Sequence, residues 1–157
     1  MTTHAYDVQV TWTGNRGAGT RHYGAYARDH EIAVAQKPVI LASSDSCFRG
    51  DPCRHNPEDL FVASISSCHM LWYLHLCSEA KIVVTSYVDR ASGSMVEAAD
   101  GSGKFTEVTL RPEVTIQAGG DAALAASLHE RAHHMCFIAN SVSIPVACEP
   151  TIACAAA

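Results

Sequence analysis

The sequence predicts one α+β domain over residues 1–157, with antiparallel sheets around a long central apolar helix and a second helix. Three observations predict it. The chain alternates apolar and polar residues in several short runs, and a single long apolar run begins at a strong helix start. The elements follow in the order strands, helix, strands, helix, strand, and no repeat or linker divides them.

The first strand is read from Tyr6, Val8, Val10 and Trp12, which alternate with Asp7, Gln9 and Thr11. A Gly-rich turn at 14–19 leads to a second strand at about Thr20 to Tyr26 and a third around Glu31 to Ala35. From Gln36 to His55 the chain is rich in Ser, Asp, Pro and Gly without a period, the pattern of a long loop. Loops of that length are often functional.

Asn56-Pro57-Glu58-Asp59 opens the central helix. Asn56 caps, Pro57 suits the first helical position, and the two acids favour the positive end of the helix dipole. The helix is expected to run to about Glu79. Its body is apolar on nearly every side, the pattern of a helix buried all round within a domain or a dimer. Strands follow at Ile82 to Arg90, Ser94 to Ala98 and Phe105 to Gln117, where Pro112 marks an edge or a bulge. Gly119-Gly120-Asp121 opens the second helix, which ends near Cys136. A final strand holds Ile144, Val146, Cys148 and Ile152.

Composition narrows the function. Hydrophobic residues make up 48% and charged residues 17%, which excludes disorder. The net charge of -5, with no basic cluster, makes nucleic acid an unexpected partner. The longest apolar stretch, around Leu71 to Cys77, is too short to span a bilayer, so no membrane partner is expected. The first residues lack the basic and apolar regions of an export signal. Seven cysteines, an odd number at irregular spacings, fit a reducing compartment, and a cytoplasmic location is expected.

Spacing alone does not single out a cysteine pair. Cys68 lies in the apolar helix after the small residues Ser64 to Ser67, and Cys136 closes the second helix. Cys148 and Cys154 stand where small hydrophobes would serve, Cys47 and Cys53 lie in the loop, and Cys77 is near a helix end. Read by themselves, Arg16 is a solvated turn residue and Glu58 a helix-dipole acid. Trp72 and Tyr73 fit either a greasy pocket or plain core.

Three segments carry a resemblance. Residues 56–68, from Asn56-Pro57-Glu58 to Cys68, resemble the first signature of the OsmC/Ohr family of organic hydroperoxide resistance and osmotically inducible proteins. Cys136-Phe137-Ile138-Ala139-Asn140-Ser141-Val142 resembles its second signature, and Trp12 to Thr20 resembles its first β-turn. Phe137 stands where many members have proline, His69 where an aromatic is frequent, and the loop at 43–55 carries two extra cysteines.

The resemblance implies an intertwined homodimer and a thiol peroxidase acting on organic hydroperoxides. Cys68 is then the peroxidatic thiol, Cys136 the resolving thiol, Arg16 the activating cation and Glu58 its carboxylate partner. An external dithiol of lipoyl or thioredoxin type recycles the disulfide, and no cofactor or metal is expected. On one unbroken helix, Glu58 and Cys68 lie about 15 Å apart along the axis, so Glu58 is expected to serve the partner subunit's site. The alternatives are a non-catalytic small-ligand binder of the same fold or a metal protein. For the metal reading the candidate ligands are Cys47, Cys53 and His55, or His133, His134 and Cys136.

Overall fold

The computed structural model describes residues 2–156. They form two compact units that divide between Phe61 and Val62. In the first, β1 (Gln9–Trp12) pairs antiparallel with β2 (His30–Ala33), and β2 pairs antiparallel with β3 (Ile40–Ala42). All four β1 residues are exposed, so the alternation there does not mark a half-buried strand.

No strand forms over Thr20 to Tyr26. The chain there is held by local bonds that compete with a ladder. Asn15 Oδ1 accepts from the backbone N–H groups of Gly17 and Gly19, both in the left-handed region. The Arg28 guanidinium lies 4.0 Å over the Tyr23 ring and 4.3 Å over Tyr26, and donates to both of their carbonyls. The expected loop from Gln36 to His55 contains β3 and a single 3₁₀ turn at Ser46–Phe48. Asp45 starts that turn by accepting from the Cys47 N–H.

Helix α1 (Pro57–Glu79) begins where its start signals place it. Asn56 Oδ1 accepts from the Asp59 N–H at 2.7 Å, and Asp59 Oδ2 accepts from the Asn56 N–H at 3.4 Å. This is a reciprocal capping box. Within a single chain the helix is not buried all round. Its buried residues are Ile65, His69, Tyr73, Leu76 and Cys77, one stripe at three- and four-residue spacing. At 23 residues, with a mean hydropathy of 1.4, α1 is long and apolar enough to cross a membrane, contrary to the expectation from Leu71 to Cys77 alone. Its Tyr73, Leu76 and Cys77 pack into a core with Ile82, Val114, Ile116, Ala125, Leu128 and Ala132.

The second unit has two three-stranded sheets. One orders β4 (Val84–Asp89), β7 (Pro112–Ile116) and β9 (Thr151–Cys154). The other orders β5 (Ser92–Glu97), β6 (Gly103–Leu110) and β8 (Val146–Cys148). β4–β7 and β5–β6 are antiparallel, but β6–β8 and β7–β9 are parallel, so the sheets are mixed rather than purely antiparallel.

The expected strand from Phe105 to Gln117 is two strands in different sheets. The Arg111 N–H leaves the ladder to donate to Asp89 Oδ1 at 2.7 Å, and Pro112, without an N–H, starts the next strand. The last expected strand divides in the same way at Glu149 and Pro150. Helix α2 (Ala122–Met135) is capped by Asp121, which accepts from the Leu124 N–H, and it buries Ala125, Leu128, His129 and Ala132.

This core yields a stability contrast. Ile116→Ala, at a fully buried position, is expected to cost about 2–5 kcal/mol in chemical unfolding. Val96→Ala, on exposed β5, is expected to change stability by no more than about 0.5 kcal/mol.

Candidate active site

Cys68 sits half-buried in the middle of α1, while Cys136 caps the C-terminus of α2 with no exposure at all. The two thiols are neighbours across the helices, and both are free. Cys136 Sγ reaches toward the Ile65 carbonyl, one turn before Cys68, at 4.0 Å. Burial pushes the Cys136 thiol up to about 11. The Ala139 N–H, donating at 3.4 Å, opposes that shift, and the adjacent Cys68 thiol adds to it. Cys136 is therefore protonated at neutral pH, in a place that solvent does not reach.

Cys68 opens onto an apolar cavity of about 430 Å³ lined with Leu71, Trp72, His75 and Phe137. Trp72 meets the edge of Phe137 at 5.5 Å and that of His75 at 5.8 Å, which fixes the wall. Leu71 and Phe137 remain 63% and 65% exposed, so the cavity is a greasy opening at the surface. Of the two aromatics that the sequence left open, Trp72 lines the cavity and Tyr73 is core.

The other two expected site residues belong to the first unit. Arg16 is exposed in the segment after β1. Glu58 is half-buried in the first turn of α1, with its Oε2 buried and lacking a hydrogen-bond partner. Helix α1 is unbroken between Glu58 and Cys68, so the two remain about 15 Å apart along its axis.

A second polar cluster lies in the core. His69 Nε2 and His129 Nδ1 are 3.0 Å apart, and Cys148 Sγ is 3.6 Å from the first and 3.9 Å from the second. The imidazoles are 0% and 3% exposed. Tyr73 stacks on His129 at 3.8 Å and holds its plane. Burial lowers His69 to about 4, with His133 adding and Asp89 opposing. Burial, then His69, lowers His129 to about 3. Burial, then Asp89 and Glu149, pushes the Cys148 thiol up to about 11.

Sequence reasoning missed this cluster. Among the described residues, neither metal set weighed above gathers three ligands, whereas His69, His129 and Cys148 do. The overlooked signal is His129-Glu130-Arg131-Ala132-His133, a His-Glu-x-x-His spacing that sets two histidines on one helix face.

The OsmC-like protein family matches residues 50–150, and the chain belongs to that family. An OsmC-like protein of unknown function from Vibrio cholerae is 31% identical, covering 95% of this chain and 100% of that one, with a TM-score of 0.85. An organic hydroperoxide resistance protein from Elizabethkingia anophelis shares the fold at 18% identity, with 98% and 99% coverage and a TM-score of 0.69. The organic hydroperoxide resistance protein OhrB of Bacillus subtilis does so at 19% identity, with 94% and 98% coverage and a TM-score of 0.65. No curated protein is significantly similar to the chain.

The histidine pair generates a pH dependence. Both folded-state values, about 4 and about 3, lie below the ordinary 6.5, so the unfolded chain takes up protons first. Their contribution to stability is complete above about pH 6.5 and is lost as the pH falls toward 4 and below. The unfolding midpoint in urea should therefore drop across that window. His129→Gln should show a shallower drop, and an equal slope in both proteins would refute the assignment.

Proposed function

We propose that the chain is a cysteine-based peroxidase that reduces organic hydroperoxides to alcohols. The observation that carries this reading is the pairing of a cavity-facing thiol with a buried one: Cys68 meets the apolar opening, and Cys136 waits behind it. The names of the Elizabethkingia and Bacillus relatives support the same chemistry.

In the proposed cycle the Cys68 thiolate attacks the terminal peroxide oxygen. The O–O bond breaks, Cys68 becomes a sulfenic acid, and the alkoxide leaves as the alcohol after protonation. The Cys136 thiol then condenses with the sulfenic acid, forming the Cys68–Cys136 disulfide and releasing water. An external dithiol, of lipoyl or thioredoxin type, restores both thiols by exchange. Division of labour follows from burial. A fully buried thiol held neutral is a poor first nucleophile and a well-protected second one.

Arg16 is the proposed cation favouring the Cys68 thiolate, because a guanidinium cannot lose its charge. Glu58 is the proposed carboxylate that orients it, and its buried, unpartnered Oε2 is an acceptor suited to such a fork. The helix separates Glu58 from its own Cys68, so we assign it to the site of a second copy in a homodimer. The uncovered apolar residues Leu71 and Phe137 fit such an interface. A reducing cytoplasm is the proposed setting, where the seven cysteines stay reduced.

Cys68→Ser is expected to abolish consumption of cumene hydroperoxide, whereas Cys136→Ser permits one oxidation and then stalls as sulfenic or sulfinic acid. Turnover should favour cumene hydroperoxide over hydrogen peroxide, since the apolar wall rewards an alkyl or aryl tail. Full turnover by Cys68→Ser, or a preference for hydrogen peroxide, would overturn the reading.

Subunit sharing has its own test. Glu58→Ala and Cys68→Ser proteins, each inactive, are mixed under conditions of subunit exchange. Heterodimers should regain one working site in two. No recovery after demonstrated exchange would remove Glu58 from the partner's site.

A further inference from the structure

The buried cluster in the second unit supplies a ligand set that the peroxidase reading does not use. We propose that His69 Nε2, His129 Nδ1 and Cys148 Sγ form a binding site for one zinc-class divalent ion.

The distances support it. A tetrahedral ion with metal–nitrogen bonds of about 2.0–2.1 Å and a metal–sulfur bond of about 2.3 Å sets ligand nitrogens about 3.3 Å apart, and nitrogen and sulfur about 3.6 Å apart. The corresponding separations here are 3.0 Å between the nitrogens and 3.6 and 3.9 Å to the sulfur. Few adjustments are needed. The two rings lie nearly parallel, 7° apart, with nitrogens facing each other in an N–H···N bond. Binding replaces that bond, opens the nitrogens by about 0.3 Å and turns them toward a common centre.

The chemistry of the set selects the ion. Two imidazoles and one thiolate suit zinc and its neighbours, whereas magnesium and calcium require oxygen ligands. One ring donates in the N–H···N bond, and moving that proton to its other nitrogen gives each imidazole a lone pair to present to the ion. The Cys148 thiol loses its proton to solvent as the metal–sulfur bond forms, so charge and protons balance.

The fold favours occupancy. Two fully buried imidazoles beside a half-buried thiol, where hydrophobes would pack, are a costly arrangement unless the three share a partner such as an ion. The ligands come from α1, α2 and β8, so an ion ties together three elements that are distant in sequence. Tyr73, stacked on His129, already fixes one ligand ring.

The set supplies three ligands, and two of them, His129 and Cys148, line a cavity of about 400 Å³ together with Glu130 and His133, which leaves room for a fourth ligand. His133, one turn beyond His129, keeps a buried Nδ1 without a partner there.

The test is titration of reduced, metal-free protein with cobalt(II), the spectroscopic stand-in for zinc. One equivalent should give the visible bands of a four-coordinate ion together with a thiolate charge-transfer band, and zinc should abolish both. Cys148→Ser should lose the charge-transfer band and weaken binding by ~100-fold or more, and His129→Gln should weaken it comparably. Cys68→Ser/Cys136→Ser and Cys47→Ser/Cys53→Ser proteins should bind as the wild type does, which separates this site from the peroxidase thiols and from the loop cysteines. X-ray absorption at the zinc edge of the wild-type complex, which needs no variant to fold, should show one sulfur in the ligand shell. Failure of folded wild-type protein to take up one equivalent, a shell without sulfur or with several sulfurs, or an unchanged charge-transfer band in Cys148→Ser would each overturn the proposal.

Discussion

The second unit is organised by one geometric constraint: successive residues of an α-helix point about 100° apart. On α1 this sends Cys68 to the apolar opening and His69, the very next residue, into the core. Tyr73, Leu76 and Cys77, packed against Val114, Ile116 and Leu128, and His69, bonded to His129, fix the rotation of the helix. Once that rotation is set, the orientation of Cys68 follows. A packing change in the core therefore moves the thiol.

The end of α2 completes the arrangement. Cys136 is the last position that the helix can place against α1, and its N–H still bonds to the His133 carbonyl. The turn that follows brings the Ala139 N–H onto its sulfur and Phe137 out to the cavity wall. One short segment thus supplies both the buried thiol and the outermost apolar surface beside its partner. Phe137 in place of proline costs the turn some rigidity and gives the cavity an aromatic wall packed edge-on against Trp72.

What the sequence revealed follows how local each signal is. The start of α1 was legible because Asn56, Pro57 and Asp59 act within one turn, and the start of α2 because Asp121 does the same. Pro112 marked an edge or a bulge, but the switch to another sheet at Arg111 was not legible, because its partner is Asp89, 22 residues away. The parallel pairing of β6 with β8 and of β7 with β9 joins segments separated by a helix, and no local pattern announces such a partner. The Thr20 to Tyr26 segment looked like a strand by residue type, yet Asn15 and Arg28 hold it in turns. The cysteine pair was placed by family resemblance rather than by spacing. The His69, His129 and Cys148 cluster joins residues 60 and 79 positions apart, and only the His-Glu-x-x-His run hinted at it.

The two parallel pairings also govern the order in which the chain can assemble. Strands β8 and β9 dock beside β6 and β7 only after α2 has crossed over between them, so each sheet waits for its third member. During synthesis on a ribosome, a nascent chain ending before Val146 holds every other element of the second unit but cannot finish either sheet. Such sequence-distant closures slow folding and leave apolar surface and strand edges open in the meantime. Cys68 and Cys136 both precede β8 and β9 in the chain, so the thiol pair is made before the strands that close its scaffold.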